Sequence, residues 1–132
     1  QEFNLSGEQI QFFDHHPFFS IPFWIRACDV VTIPWPWIEF SAYYTSPLKL
    51  FEYMASLVPI VASDLPSLRE ILNEKNAILV KAGNPEALAE GIKRVLDNFF
   101  LGQKLATQAF QDVQNYTWLK RAERILIQIQ AR

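Results

Sequence analysis

Apolar residues follow two alternating rhythms along this chain. Short β-branched runs bounded by Pro, Asp or Ser give way to longer stretches in which apolar residues return every three or four positions. Ile10 to Phe13 is a short apolar run that ends in the turn-like cluster Asp14-His15-His16-Pro17. Phe18 to Cys28 reads as a helix, with Ile21, Trp24, Ile25 and Cys28 at helical spacing and Pro22 tolerable near its start. Val30 to Ile33 is typical of a buried parallel strand. Pro34 to Tyr44 reads as a loop rich in Pro and aromatics, and Pro47 to Leu57 as the best helix of the first half. Ile60 to Ala62 is the next strand. Pro66 to Leu72 is a short helix whose Ser67 and Glu70 are spaced like a capping box, and Ala77 to Val80 is another strand. Pro85 to Phe99 is an amphipathic helix with Leu88, Ile92, Val95 and Leu96 on one face. Leu101 to Val113 and Trp118 to Ala131 form a helical tail.

Strands separated by helices predict an α/β fold with a parallel, Rossmann-like sheet and right-handed crossovers. Such sheets bind ligands at the carboxyl ends of their strands. The loops at Asp14 to Pro17, Pro34 to Ser46 and Ser63 to Pro66 are therefore where a site is expected.

Composition narrows the class. The 132 residues suffice for one domain with a core but not for two. Half are hydrophobic and a fifth charged, which argues against disorder. The net charge of −2 supplies no field that would draw the whole chain to nucleic acid or an anionic membrane. Cys28 is the only cysteine, so no intrachain disulfide can form, and a reducing, cytoplasmic setting is the natural expectation. No apolar run approaches the ~20 residues that span a bilayer. The chain opens at Gln1 without a signal-like segment or an initiator Met and reads as a piece of something longer.

The helix from Pro47 carries the candidate chemistry. Ser46 suits an N-cap and Pro47 the first helical position. The free N–H groups and positive dipole end of such a start can hold an anion such as a diphosphate, with Lys49 adding charge. Lys49, Glu52, Tyr53 and Ser56 fall at i, i+3, i+4 and i+7 and form one polar stripe. The remaining positions are apolar, which predicts a helix buried on most sides with that stripe facing water, a cleft or a ligand. A carboxylate at Glu52 can accept hydrogen bonds from both hydroxyls of a ribose whose phosphates lie at the helix start. The alternative is a solvated Glu52 paired with Lys49.

Three stretches in the same order carry a resemblance: Cys28 to Pro34, Ser46-Pro47-Leu48-Lys49-Leu50-Phe51-Glu52-Tyr53-Met54-Ala55, and Val58-Pro59-Ile60-Val61-Ala62-Ser63-Asp64-Leu65-Pro66. Asn76 to Val80, Asn84 to Ala89 and Tyr116-Thr117-Trp118 extend it, so that it runs over roughly residues 8 to 131. Together they resemble the donor-nucleotide-binding half of retaining GT-B glycosyltransferases of the group 1, family 4 type. The resemblance implies that Glu52 binds the donor ribose, that the backbone of Thr45, Ser46, Pro47 and Leu48 with Lys49 binds the diphosphate, and that the loop of His15 and His16 lies near the nucleotide base. It implies half of a GT-B architecture: an incomplete sheet of about four strands, with Ile10 to Phe13 and Val30 to Ile33 as strands 3 and 4 and the intervening strands 1 and 2 supplied from outside the chain. The acceptor domain and the basic residues that usually neutralise the donor phosphates are also absent, so a gap or non-native closure is expected beside Val30 to Ile33. Residues 1 to 132 would be a partial donor domain, inactive when isolated.

Two positions depart from the family's pattern. Tyr44 stands eight positions before Glu52, where many relatives carry a glutamate near the transferred sugar. Leu57 stands where relatives have a helix-ending glycine, at a cost of about 1 kcal/mol if the left-handed turn is kept.

Other residues admit two readings each. His15 and His16 either contact the base or are solvated, and no third ligand is spaced for a metal. Trp35, Trp37, Phe40, Tyr43 and Tyr44 form an acceptor-facing or membrane-facing surface, or pack on the missing domain. Asp64 follows a strand and suits helix capping. Lys120, Arg121, Arg124 and Arg132 make the last helix basic, while Trp118, Ala122, Ile125 and Ile129 form its apolar face, which suits packing across domains.

The functional expectation is a hexosyltransferase: the parent transfers a sugar from a UDP or GDP donor, with retention, to an unknown glycan, lipid or small molecule. The expected partners are that nucleotide-sugar, which is a substrate rather than a cofactor, and the parent's own N-terminal acceptor domain; neither metal nor nucleic acid is called for. A non-catalytic nucleotide- or protein-binding α/β module is the rival, and a GT-B epimerase or phosphorylase relative is a third reading.

Overall fold

The computed structural model describes residues 9 to 130; the outer limits of the resemblance at residues 8 and 131, the end of the tail at Ala131, and Arg132 lie outside them. Three strands, β1 (Val31–Ile33), β2 (Ile60–Ser63) and β3 (Ile78–Val80), form a parallel sheet in the order β1-β2-β3. Val31 pairs with Ile60, and Val61 with Ile78. Every residue of the central strand β2 is buried, as a parallel strand covered on both faces requires.

The helices are α1 (Ile21–Arg26), α2 (Glu39–Tyr43), α3 (Leu48–Ala55), α4 (Pro66–Arg69), α5 (Pro85–Leu96), α6 (Phe99–Val113) and α7 (Trp118–Gln130), with a 3₁₀ turn at Phe18–Ser20 ahead of α1. On one side of the sheet Ile33, Leu50, Met54, Ile60, Ala62 and Leu68 build the larger core cluster, which Ala109 of α6 completes. On the other, Val61, Ile78, Val95 and Leu105 build a smaller one under α5. Asn84 and Asn98 cap α5 and α6, their Oδ1 atoms accepting from the N–H of Ala87 at 2.8 Å and of Leu101 at 3.0 Å.

Several expectations are corrected. Ile10 to Phe13 is not a strand, so the sheet has three strands rather than about four. No described strand lies beside it to take its ladder bonds, and Phe12 is 95% exposed. The aromatic loop contains a helix, α2. Ser67 and Glu70 do not form a capping box: the N-cap of α4 is Leu65, and the Ser67 hydroxyl donates instead to the carbonyl of Ser41 at 2.6 Å. Asp64 does not cap a helix either. It takes both Nε and Nη2 of Arg69 in a fork, the second bond at 2.9 Å, and that hydrogen bonding holds its carboxyl below the ordinary 3.8. Leu96 is exposed rather than on the buried face of α5.

Helix α3 is buried on one side only. Leu50 and Met54 are fully enclosed and the helix packs on α6, whereas Leu48 and Leu57 are exposed. Leu57 has φ 61°, so the left-handed turn expected there is kept without glycine.

Candidate functional site

Helix α3 is delivered by a link whose backbone is held by hydroxyl groups. Ser41 Oγ donates to the carbonyls of Pro36 at 2.6 Å and Ile38 at 3.1 Å, and Thr45 Oγ1 to Phe40 at 2.8 Å. Ser63, at the end of β2, donates to the carbonyl of Trp35 at 2.7 Å. The Ser41 and Thr45 bonds add to backbone bonds those carbonyls already accept, and the Ser63 bond anchors the link to the sheet.

The helix begins one residue later than expected. Pro47 rather than Ser46 is the N-cap, in extended conformation, and no side chain caps the start. The N–H of Leu50 donates to the carbonyl of Pro47 at 3.1 Å, and those of Leu48 and Lys49 are left to water or a ligand. Lys49 is exposed, with Nζ 5.8 Å from the centre of the Tyr53 ring.

Of the polar stripe, Glu52 and Ser56 line one crevice, whereas Lys49 and Tyr53 do not. Ser56 is buried, its hydroxyl donating to Tyr53 O at 2.7 Å and accepting from Val58 N–H at 3.3 Å. Tyr53 is half-buried; burial first, then the neighbouring Cys28 and Glu52, raise its phenol above the ordinary 10.0. Glu52 is half-buried and opens into a crevice of about 290 Å³ between α1 and α3, lined by Phe18, Ile21, Pro22, Ile25 and Arg26. Phe18 and Ile21 also wall a groove of about 580 Å³ that contains His15 and His16, so the histidine loop and Glu52 adjoin. The His16 ring lies 4.5 Å from that of Trp24.

The start of α3 opens the other way. Ser46, Leu48 and Phe51 line a separate cavity of about 370 Å³ with Glu70 and Ile71 beyond α4 and with Tyr116, Trp118, Arg121 and Arg124 at the α6–α7 turn. Thr45, Pro47 and Lys49 line neither this cavity nor the Glu52 crevice. The structure thus brings Glu52 together with the histidine loop, and Ser46 and Leu48 with the last helix, on two sides of α3. Tyr44 ends α2 and is 70% exposed. Trp37, Phe40 and Tyr43 are exposed beside it, while Trp35 packs partly against the core. Helix α7 buries none of its side chains among the described residues. The residues missed by sequence reasoning are Glu70, Arg121 and Arg124 as cavity walls; the basic spacing of α7 was visible, but not its nearness to α3. Among the described residues no three His, Cys, Asp or Glu side chains gather as metal ligands.

A family model described as Glycosyl transferases group 1 matches residues 2–98. The chain belongs to the group 1 glycosyltransferases. An uncharacterized glycosyltransferase of Methanocaldococcus jannaschii is 34% identical over 95 residues, which are 70% of this chain and 23% of that protein. The group 1 fold recurs in solved structures. Sucrose-phosphate synthase of Thermosynechococcus elongatus matches with a TM-score of 0.77 at 23% identity, over 95% of this chain and 31% of that one. HepE of Anabaena, in complex with UDP, matches with a TM-score of 0.69 at 20% identity, over 85% of this chain and 30% of that one; it is also solved with UDP-glucose. These neighbours are GT-B glycosyltransferases, and this chain corresponds to a C-terminal-like part of them. It spans under a third of each.

Proposed function

We propose that this chain is the donor half of a glycosyltransferase that takes a hexose from a UDP or GDP donor and passes it to an acceptor with retention of anomeric configuration. In the reaction the bond between the anomeric carbon and the diphosphate oxygen breaks and its electrons leave with the diphosphate. An acceptor hydroxyl oxygen bonds the same carbon on the same face and gives its proton to the departing diphosphate oxygen. The chain contributes position and electrostatics rather than a nucleophile, and no cofactor takes part. Glu52 accepts from the ribose hydroxyls, and the uncapped amino end of α3, at Thr45 to Lys49, receives the diphosphate. The loop of His15 and His16 flanks the base, and Tyr44 lies toward the sugar. The parent's other domain supplies the acceptor site.

The observation that carries this reading is Glu52 opening, half-buried, into a crevice that shares the walls Phe18 and Ile21 with the groove of the histidine loop, on the helix whose start lacks a cap. The UDP and UDP-glucose held by a structural neighbour support the donor class. Calorimetric titration of the chain with UDP and GDP tests it. Saturable binding by one of them, weakened at least tenfold in Glu52→Ala, is expected; binding indifferent to that change would remove Glu52 from the site. Retention is tested in the longer parent by the anomeric configuration of the product. Tyr44 in place of a glutamate favours a second reading, a nucleotide-binding module without transfer. It predicts the same titration but no product from the parent.

A further inference from the structure

The donor phosphates need positive charge, but Lys49 does not line the cavity at the start of α3, and Arg26 lines the separate Glu52 crevice. We infer that the last helix supplies it: Arg121 and Arg124 of α7 form, with the amino end of α3, a seat for the diphosphate. The inference rests on the donor reading above and adds to it the groups that hold the phosphates.

Four observations carry it. Arg121, Arg124, Ser46 and Leu48 line one cavity of about 370 Å³, which is roomy enough for a small ligand. Both guanidiniums are held in place by contacts that leave most of their N–H donors unused. Arg121 lies 5.8 Å from the centre of the Trp118 ring, and one Nη of Arg124 donates to the carbonyl of Asn115 at 3.1 Å. The turn that starts α7 is fastened to α3 by the rings of Phe51 and Tyr116, whose centres are 5.6 Å apart. Lys120 reinforces that turn, its Nζ donating to Asn115 Oδ1 at 3.0 Å and its N–H to Thr117 Oγ1 at 3.2 Å. The cavity wall also carries one carboxylate, Glu70, against two guanidiniums, so the balance still favours an anion.

The geometry divides a nucleoside diphosphate over α3. Leu48 and Glu52 are four residues apart in the sequence, about 6 Å along the helix axis, so the ribose can be held on the Glu52 side while the phosphates pass over the amino end toward α7. Charge-assisted bonds from paired guanidiniums to phosphate are among the stronger hydrogen bonds available.

Calorimetry on the whole chain with three probes, uridine, inorganic pyrophosphate and UDP, tests this, with GDP and guanosine as the matching pair if the base is guanine. Arg121→Gln with Arg124→Gln is expected to weaken nucleoside diphosphate and pyrophosphate at least tenfold and to leave the nucleoside unchanged. Glu52→Gln should weaken nucleoside and nucleoside diphosphate and spare pyrophosphate. Glu70→Gln should tighten pyrophosphate severalfold. All these side chains are exposed or half-buried, and circular dichroism confirms that the variants fold. If the double arginine variant binds UDP, GDP and pyrophosphate like the parent chain, α7 has no part in the seat, while a loss in Glu52→Gln keeps the donor reading alive. If pyrophosphate depends on the arginines but neither nucleotide notices Glu52→Gln, the seat stands and the ribose assignment falls. If no probe binds the unaltered chain, both fall.

Discussion

Asn76, fully buried, donates a hydrogen bond from Nδ2 to a carboxylate oxygen of Asp112 at 2.8 Å, across 36 positions of sequence. The same Nδ2 donates to the carbonyl of Ile71 at 3.1 Å, and Asn76 Oδ1 accepts from the N–H of Asn73 at 2.8 Å. The turn between α4 and β3 is thereby fixed to the end of α6, which in turn positions α7. Asn76→Ala takes a partner from the Ile71 carbonyl, the Asn73 N–H and the Asp112 carboxylate, all partly buried at these bonds, and leaves a small cavity. A loss of about 3 kcal/mol is expected. Asp112→Asn keeps an acceptor and should cost about 1 kcal/mol. Urea denaturation at constant slope measures both, and equal effects would show that the bond to Asp112 carries the whole contribution of Asn76.

Gly91 lies on α5 where the helix meets the sheet. A Cβ there would stand 2.8 Å from Val80 Cγ1 and 2.9 Å from Val61 Cγ1, closer than van der Waals contact allows. Both valines are β-branched and stiff about χ1, so neither can turn aside cheaply. Alanine gains about 1 kcal/mol in helix propensity, but overpacking costs about 1–3 kcal/mol. Gly91→Ala is therefore expected to lower stability despite being the better helix former, and a higher denaturation midpoint would show that α5 can lift from the sheet without penalty.

The alternation of helices and strands was legible because the apolar runs at Val31, Ile60 and Ile78 are short and bounded by turn residues, and the central one, buried throughout, needs no alternation. Ile10 to Phe13 misled because composition says a run can pair, not whether a partner strand stands beside it. Helix α2 was hidden among prolines and aromatics. It is held by the Ser41 hydroxyl, bonded to the carbonyls of Pro36 and Ile38 just before it, and by the Ser67 hydroxyl, which was spent on a long-range bond instead of a cap. At the site, Glu52 could be singled out from motif and spacing, and the structure places it half-buried at a crevice. The sharing of one cavity by Leu48 and Arg124 could not, since it depends on how sharply the chain turns at Asn115 to Thr117.

Leu57 occupies the left-handed region with φ 61° and is 45% exposed. Its Cβ is crowded there, and little burial is gained in return. Leu57→Gly is expected to stabilise the chain by about 1 kcal/mol, offset slightly by the greater freedom of glycine when unfolded. A rise of a few degrees in Tm is the expected reading. A fall would mean that the Leu57 side chain contributes more by packing than its exposure indicates.

Tyr53 offers a spectroscopic check on where Glu52 lies. Its phenol is raised above the ordinary 10.0 by burial first, then by Cys28 and by Glu52. The folded state therefore holds the phenolic proton more tightly than the unfolded state. The resulting stability is complete below pH 10.0 and is lost as the pH climbs through the folded value, so the chain should unfold more easily in alkali. Tyr53→Phe should flatten that alkaline loss, since no proton remains to be given up. Glu52→Gln removes the smallest of the three causes, and should bring the phenolate absorbance of Tyr53 in at a slightly lower pH, with the burial contribution intact. Ultraviolet difference titration, using Tyr53→Phe to identify the signal, measures this. If Glu52→Gln leaves the Tyr53 midpoint where it was, the carboxylate points away from the phenol, and the crevice between α1 and α3 loses its one acidic wall.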